Sequence, residues 1–179
     1  MNAQVGPVLF DTNTLVNFAV IDRLDLLNSH YGHRAIWTET VEIELRRGLR
    51  AEPKIRDILD ANWLGDPIEI AGTPDDLEQI DRIRRALGGT AANPMQHLGE
   101  AKIISYIQNR APGAIFITDD LPALDFARRK QLFAINTATV LGECHSYAEI
   151  GCPHAYNLLI EMRSKGRGVR VPAHHSAVC

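Results

Sequence analysis

Cysteine is scarce in this chain: 179 residues hold 3, and Cys144, Cys152 and Cys179 all lie towards the C-terminus. So few, so late, exclude a disulfide framework as the organising principle of the fold. No run of about 18 apolar residues occurs, so no membrane-spanning helix is expected. The opening MNAQVGPVLF lacks the basic start and longer apolar stretch of a secretory signal peptide. These absences lead to the expectation of a cytoplasmic protein with no membrane partner. An excess of positive charge is also missing: the formal net charge of -3 excludes a protein that coats nucleic acid through bulk charge. With no repeat, low-complexity tract or dividing linker, residues 1–164 are expected to form one domain, and residues 165–179 a poorly ordered tail.

What is present fits a globular domain with a substantial core, since 45% of residues are hydrophobic and 23% charged. Arginine outnumbers lysine and clusters at Arg46–Arg47, at Arg82, Arg84 and Arg85, at Arg128–Arg129 and within residues 163–170. Guanidinium forks suit phosphate oxygens, but such clusters also form solvated helix faces and helix C-termini.

Along the chain, Val8 to Phe10 reads as a buried strand, followed by a helix from about Thr14 to Asn28. A turn at Tyr31-Gly32-His33 precedes a second strand, Ala35 to Trp37, and Thr38 caps a helix through Arg47 that Gly48 stops. A short helix over Pro53 to Ala61 and an edge strand at Ile68 to Ile70 are expected next. Thr73-Pro74-Asp75-Asp76 supplies a cap, a first-position proline and first-turn acids for a helix ended by Gly88-Gly89. Further helices are expected near Gln96–Asn109, Leu121–Lys130, Thr139–Ile150 and His154–Ser164, with strands at Ala114–Thr118 and Phe133–Ile135. Strands alternating with helices predict a mostly parallel sheet covered on both faces, a three-layer α/β/α sandwich. Ligands in such sheets bind beyond the carboxyl ends of the strands.

Acids fall at those places. Asp11 closes the first strand, where it could cap the next helix, but Thr12, Asn13 and Thr14 could cap it equally well. Glu44 sits late in its helix, against the macrodipole, whereas Glu39 and Glu42 lie nearer the favourable end. Glu100 precedes Ile103, Ile104 and Ile107 at helical spacing, which sets its carboxylate at or beside an apolar stripe. Asp119 and Asp120 end the AIFIT strand and can divide between them one cap and one ligand. Gathered in one crevice, these acids would raise one another's pKa, and a divalent cation would remove the conflict. Oxygen ligands without an organised His or Cys set point to Mg²⁺ or Mn²⁺ over Zn²⁺.

In order and spacing, LFDTNTL, VEIELRRG, GEA and ITDD resemble the motifs of the PIN domain, over roughly residues 8 to 140. That resemblance implies a PIN-like α/β/α sandwich and a metal-dependent ribonuclease, commonly a homodimer. Many small bacterial members are VapC-like toxins inhibited by an antitoxin protein whose segment covers the acidic cleft. Carried over by position, it implies Asp11, Glu44, Glu100 and Asp120 (or Asp119) as metal-binding catalytic acids, with Asn13 and Thr118 as supporting polar residues. Arg46 and Arg47, just after Glu44, are candidate guides for the RNA phosphate. Glu100 stands where many toxins have aspartate, and the chain is longer than compact toxins through residues 53–95 and its C-terminal helices.

Three other readings compete. Cys144, His145, Cys152 and His154, or His174, His175 and Cys179, could hold zinc, although their spacings miss the usual paired-cysteine pattern. A PIN-like fold could serve as a catalytically inactive RNA- or protein-binding module, a reading that filled acidic positions oppose. A phosphoryl-transfer enzyme with Asp11 as nucleophile is disfavoured because DTN lacks a second aspartate two residues on.

Overall fold

The computed structural model describes residues 6–70 and 72–179. Four strands, β1 (Val8–Phe10), β2 (Ala35–Ile36), β3 (Ile115–Ile117) and β4 (Phe133–Ile135), form a sheet in the order β2-β1-β3-β4. Every pairing is parallel, with Leu9 opposite both Ile36 and Phe116, and Phe116 opposite Ala134. Short apolar strands buried on both faces are what a helix-covered parallel sheet requires, and Val8, Leu9, Phe10 and Phe116 are fully buried. Flanking helices complete the α/β/α architecture expected from the sequence.

The strand order places a topological switch point at β1 and β3. From β1 the chain crosses to β2 on one side; the third strand then inserts on the other side of β1. Crossovers leaving in opposite directions open a crevice at the carboxyl ends of the two central strands. Asp11 follows β1 and Thr118-Asp119-Asp120 follows β3, so the crevice receives both.

Among the described residues nine α-helices surround the sheet: α1 (Thr12–Ala19), α2 (Leu24–Tyr31), α3 (Glu39–Gly48), α4 (Ile55–Leu59), α5 (Pro74–Ala86), α6 (Leu98–Arg110), α7 (Leu121–Arg129), α8 (Thr137–Ser146) and α9 (His154–Ser164). Local chemistry sets several starts. The Thr38 hydroxyl caps α3 by accepting from the Val41 amide, and Thr73 with Asp76 forms a full capping box on α5, followed by Pro74.

Three expectations need correction, and the cysteines add a feature of their own. The helix expected over 14–28 is two helices, because Asp22 takes φ 56° and the Arg23 amide bonds back to the Phe18 carbonyl at 2.9 Å. Both halves bury apolar residues, so the periodicity ran on across the break. The edge strand at 68–70 is reduced to one bridge, Thr38 to Ile68: α3 begins at once, and the Glu39 carboxylate takes the Ile70 amide at 3.2 Å. Residues 165–179 are folded against the domain instead of frayed. Val169 is in the core, the Tyr156 hydroxyl donates to the Pro172 carbonyl at 3.0 Å, and the Lys165 ammonium donates to the Val20 carbonyl at 2.6 Å. Finally, Cys152 and Cys179 are joined by a disulfide, while Cys144 is a buried thiol packed in the core. The pairing takes up two of the sulfurs on which the zinc reading depended, although His175 Nδ1 lies 3.4 Å from the Cys152 sulfur.

Candidate active site at the carboxyl ends of the central strands

Asp11 occupies the N-cap position of α1, with extended backbone angles, yet its side chain makes no capping hydrogen bond. The carboxylate is turned inward and is only 4% exposed. It accepts from the Thr118 hydroxyl at 3.2 Å, and that hydroxyl also accepts from the Asp120 amide at 3.1 Å. One threonine at the end of β3 thus fixes acids on two strands. The backbone supports this: the Asp11 amide donates to the Ile117 carbonyl at 3.0 Å, and the Thr14 hydroxyl donates to the same carbonyl at 3.2 Å.

Glu44 reaches the crevice from α3 and accepts a hydrogen bond from the Thr12 hydroxyl, the residue next to Asp11. α6 can bring its own acid close because Gly99 faces this point: a Cβ there would lie 3.2 Å from Glu44 Oε1. Glu100 is the next residue. His97, with φ 57°, starts the helix and turns its Nδ1 to 3.6 Å from Glu100 and 3.8 Å from Asp120. Ligand atoms of His97, Glu100 and Asp120 lie within 4.8 Å of one another.

One of the adjacent aspartates does cap the following helix, as expected. Asp120 supplies the cap, with Oδ1 accepting from the Ala123 amide at 2.8 Å, and its Oδ2 lies 3.8 Å from His97 Nδ1. Asp119 points elsewhere. It accepts from the Asn17 amide at 2.8 Å, from the Thr137 backbone amide at 3.1 Å and from the Thr137 hydroxyl. Asp119 is therefore a brace between α1 and the start of α8.

Electrostatics follow from this geometry. Burial pushes the Asp11 carboxyl well above its ordinary value, and the charges of Glu100, Glu44 and Asp120 push the same way against the Thr118 bond. Burial also raises Glu44, opposed by the Thr12 hydroxyl and the Arg47 charge. Glu100 is raised by burial and by Asp120 and Glu44, with its own backbone and His97 opposing. A buried carboxylate is costly unless paired or bound to a cation. The oxygens of Asp11, Glu44, Glu100 and Asp120 are hard donors, and a hard divalent cation would relieve the repulsion that raises these groups. The donor set therefore fits Mg²⁺ or Mn²⁺.

The other expected residues divide. Thr118 is central. Asn13 lies at the rim and accepts from Arg167 Nη2 at 3.0 Å. Arg46 is engaged on its own helix face with Glu42 at 2.6 Å, while the Arg47 charge bears on Glu44. Three further residues belong here: Thr12, expected only as a possible cap, Arg167, expected only as part of an arginine cluster, and His97, which the sequence did not flag. His97 carried a usable signal, three residues before Glu100 on the same helix; Arg167 lay in the segment expected to fray.

A parallel α/β sheet whose switch point gathers four carboxylates defines the class as an α/β domain with an acidic crevice at its strand ends. A family model described as DUF3368: PIN domain matches residues 7–177, and the chain belongs to that PIN-domain family. The fold is also similar to a chain in the crystal structure of VapBC2 from Rickettsia felis bound to a DNA fragment from their promoter. The match has 18% identity and a TM-score of 0.46, covering 72% of this chain and 97% of that one. No curated protein matches. Among the described residues no helix is long and apolar enough to cross a membrane.

Proposed function

We propose that this protein is a Mg²⁺- or Mn²⁺-dependent endoribonuclease with Asp11, Glu44, Glu100 and Asp120 as its metal-binding acids. The observation that carries this reading is Asp11: it sits at a cap position without capping, buried among three other acids. A structural aspartate would gain more by turning outward to the α1 amides. Membership of the PIN-domain family supports the nuclease class.

A divalent ion at the cluster would polarise the phosphoryl oxygen and lower the pKa of an attacking water. The chain's own contribution is orientation. Thr118 holds Asp11 and the Asp120 backbone in one frame, Thr12 fixes Glu44, and His97 sits between Glu100 and Asp120. Asp119, braced by Asn17 and Thr137, keeps α1 and α8 in register beneath the site. Such fixed placement lowers the reorganisation needed in the reaction.

The test incubates chelator-treated protein with single-stranded RNA, with and without Mn²⁺, beside Asp11→Asn. Internal cleavage by wild type that requires the metal and is lost in the variant supports the reading; no metal-dependent cleavage by wild type overturns it. A narrower form, the toxin of a toxin–antitoxin pair acting as a homodimer, predicts growth arrest on expression of wild type and normal growth with Asp11→Asn. It also predicts a small partner protein that silences the cleavage.

A further inference from the structure

The C-terminal segment brings one cation to the rim of the acidic site, and local structure explains how. α9 ends in a Schellman arrangement: Gly166 at φ 79° donates to the Arg163 carbonyl at 3.0 Å, and the Arg167 amide donates to the Met162 carbonyl at 3.1 Å. A side chain at position 166 would resist that backbone angle. The reversal swings Arg167 back over the carboxyl ends of the strands, and the buried Val169 pins the chain beyond it.

Arg167 is held by neutral amides and has no direct ion pair among the described residues; the charges of Glu52, Asp119 and Asp11 bear on it from beyond contact. Its Nε donates to Asn17 Oδ1 at 2.7 Å and its Nη2 to Asn13 Oδ1 at 3.0 Å, both neutral amides on α1. No carboxylate among the described residues lies within 4.0 Å of its guanidinium, and the nearby Asp119 takes its hydrogen bonds from Asn17 and Thr137. Arg84 differs: its guanidinium donates to Asp81 at 2.9 Å and to the Thr90 and Asn93 carbonyls. Arginine carries five N–H donors, and the asparagines occupy two of those of Arg167. Arg167 lines an open cavity of about 240 Å³ together with Asn13, Asn17, Asp119, Asp120 and Leu121. A phosphodiester nearing this carboxylate cluster is repelled by it unless cations lie on its path, and a guanidinium fork matches two phosphate oxygens.

We infer that Arg167 is a substrate-binding residue that grips a backbone phosphate of the RNA beside the scissile bond. This rests on the ribonuclease reading of the acidic cluster. The two asparagines orient the fork and leave its charge available to the strand.

The test uses full-length protein carrying Arg167→Gln or Arg167→Lys. Cleavage kinetics are measured on single-stranded RNA with Mn²⁺. Binding is measured by anisotropy in the Asp11→Asn background across a salt series, and thermal unfolding of each variant checks the fold. Arg167→Gln is expected to raise KM about tenfold with kcat much less affected. It should also reduce the slope of log affinity against log salt by about 0.7, the value for one phosphate contact on a single strand. Arg167→Lys is expected to keep the salt slope and recover much of the KM. Wild-type cleavage with unchanged KM and slope in the folded Gln variant overturns the inference and leaves the nuclease reading standing. Faster cleavage by Arg167→Gln also overturns it, marking the arginine as a plug. Wild type that cleaves nothing removes the nuclease reading and this inference with it.

Discussion

Two buried charges lie in different parts of this molecule, and their surroundings are opposite. Arg84, 5% exposed in α5, has Asp81 and the carbonyls of Thr90 and Asn93 around its guanidinium. Asp11, 4% exposed after β1, has one threonine hydroxyl and three further acids. Equal burial therefore conceals different purposes. The arginine ties the residues after α5 to the helix and is complete as it stands. The aspartate is held where burial and neighbouring acids raise its pKa, and the proposed cation would make the arrangement more favourable.

The comparison can be broken most severely by activity. Asp11→Asn is expected to lower metal-dependent RNA cleavage by about 10³-fold, whereas Arg84→Met should leave cleavage by folded protein near wild type. Stability should move the other way. Arg84→Met removes charged hydrogen bonds to three groups and is expected to cost about 2–3 kcal/mol, a Tm loss of about 5–10 °C in thermal unfolding. Mn²⁺ at about a hundred times its Kd should add about 2.7 kcal/mol to wild type and nothing comparable to Asp11→Asn.

A smaller effect concerns pH. Asp11, Glu44 and Glu100 have folded pKa values raised above their unfolded ones. The native state then binds more protons than the unfolded state, so metal-free stability falls as pH rises from the ordinary carboxylate range, about 4, through the raised values. Denaturant titrations of metal-free protein at a series of pH values should show that decline, and a weaker one in Asp11→Asn. Smallest of all is Arg46→Ala: an exposed arginine already paired with Glu42 should change KM by less than about twofold.

Legibility in the sequence followed the range of the forces involved. Features set locally could be read well: the Thr38 and Thr73 caps, the bounds of β4 and α9, and the placement of acids just after β1 and β3. Glu44 stood out because it opposed its own helix dipole. The α1–α2 break was hidden because buried residues continue on both sides of Asp22. Arg167 was hidden for a different reason. Its partners Asn13 and Asn17 lie more than a hundred residues away, and its aim depends on the positive φ of Gly166. His97 was within reach of sequence reasoning, since its spacing to Glu100 is helical, but its turn towards Asp120 depends on a left-handed backbone. Nor could the sequence divide Asp119 from Asp120, because one carboxylate caps a helix and faces the cluster at once.

The central claim is that Asp11 is held in the fold at a cost that a divalent cation removes. Thermal unfolding of chelator-treated wild type and Asp11→Asn near neutral pH, each repeated with saturating Mn²⁺, tests it most directly. The account predicts that the variant melts several degrees above wild type without metal and that the order reverses with Mn²⁺. A variant that melts below wild type without metal, or two proteins that respond equally to Mn²⁺, would contradict it.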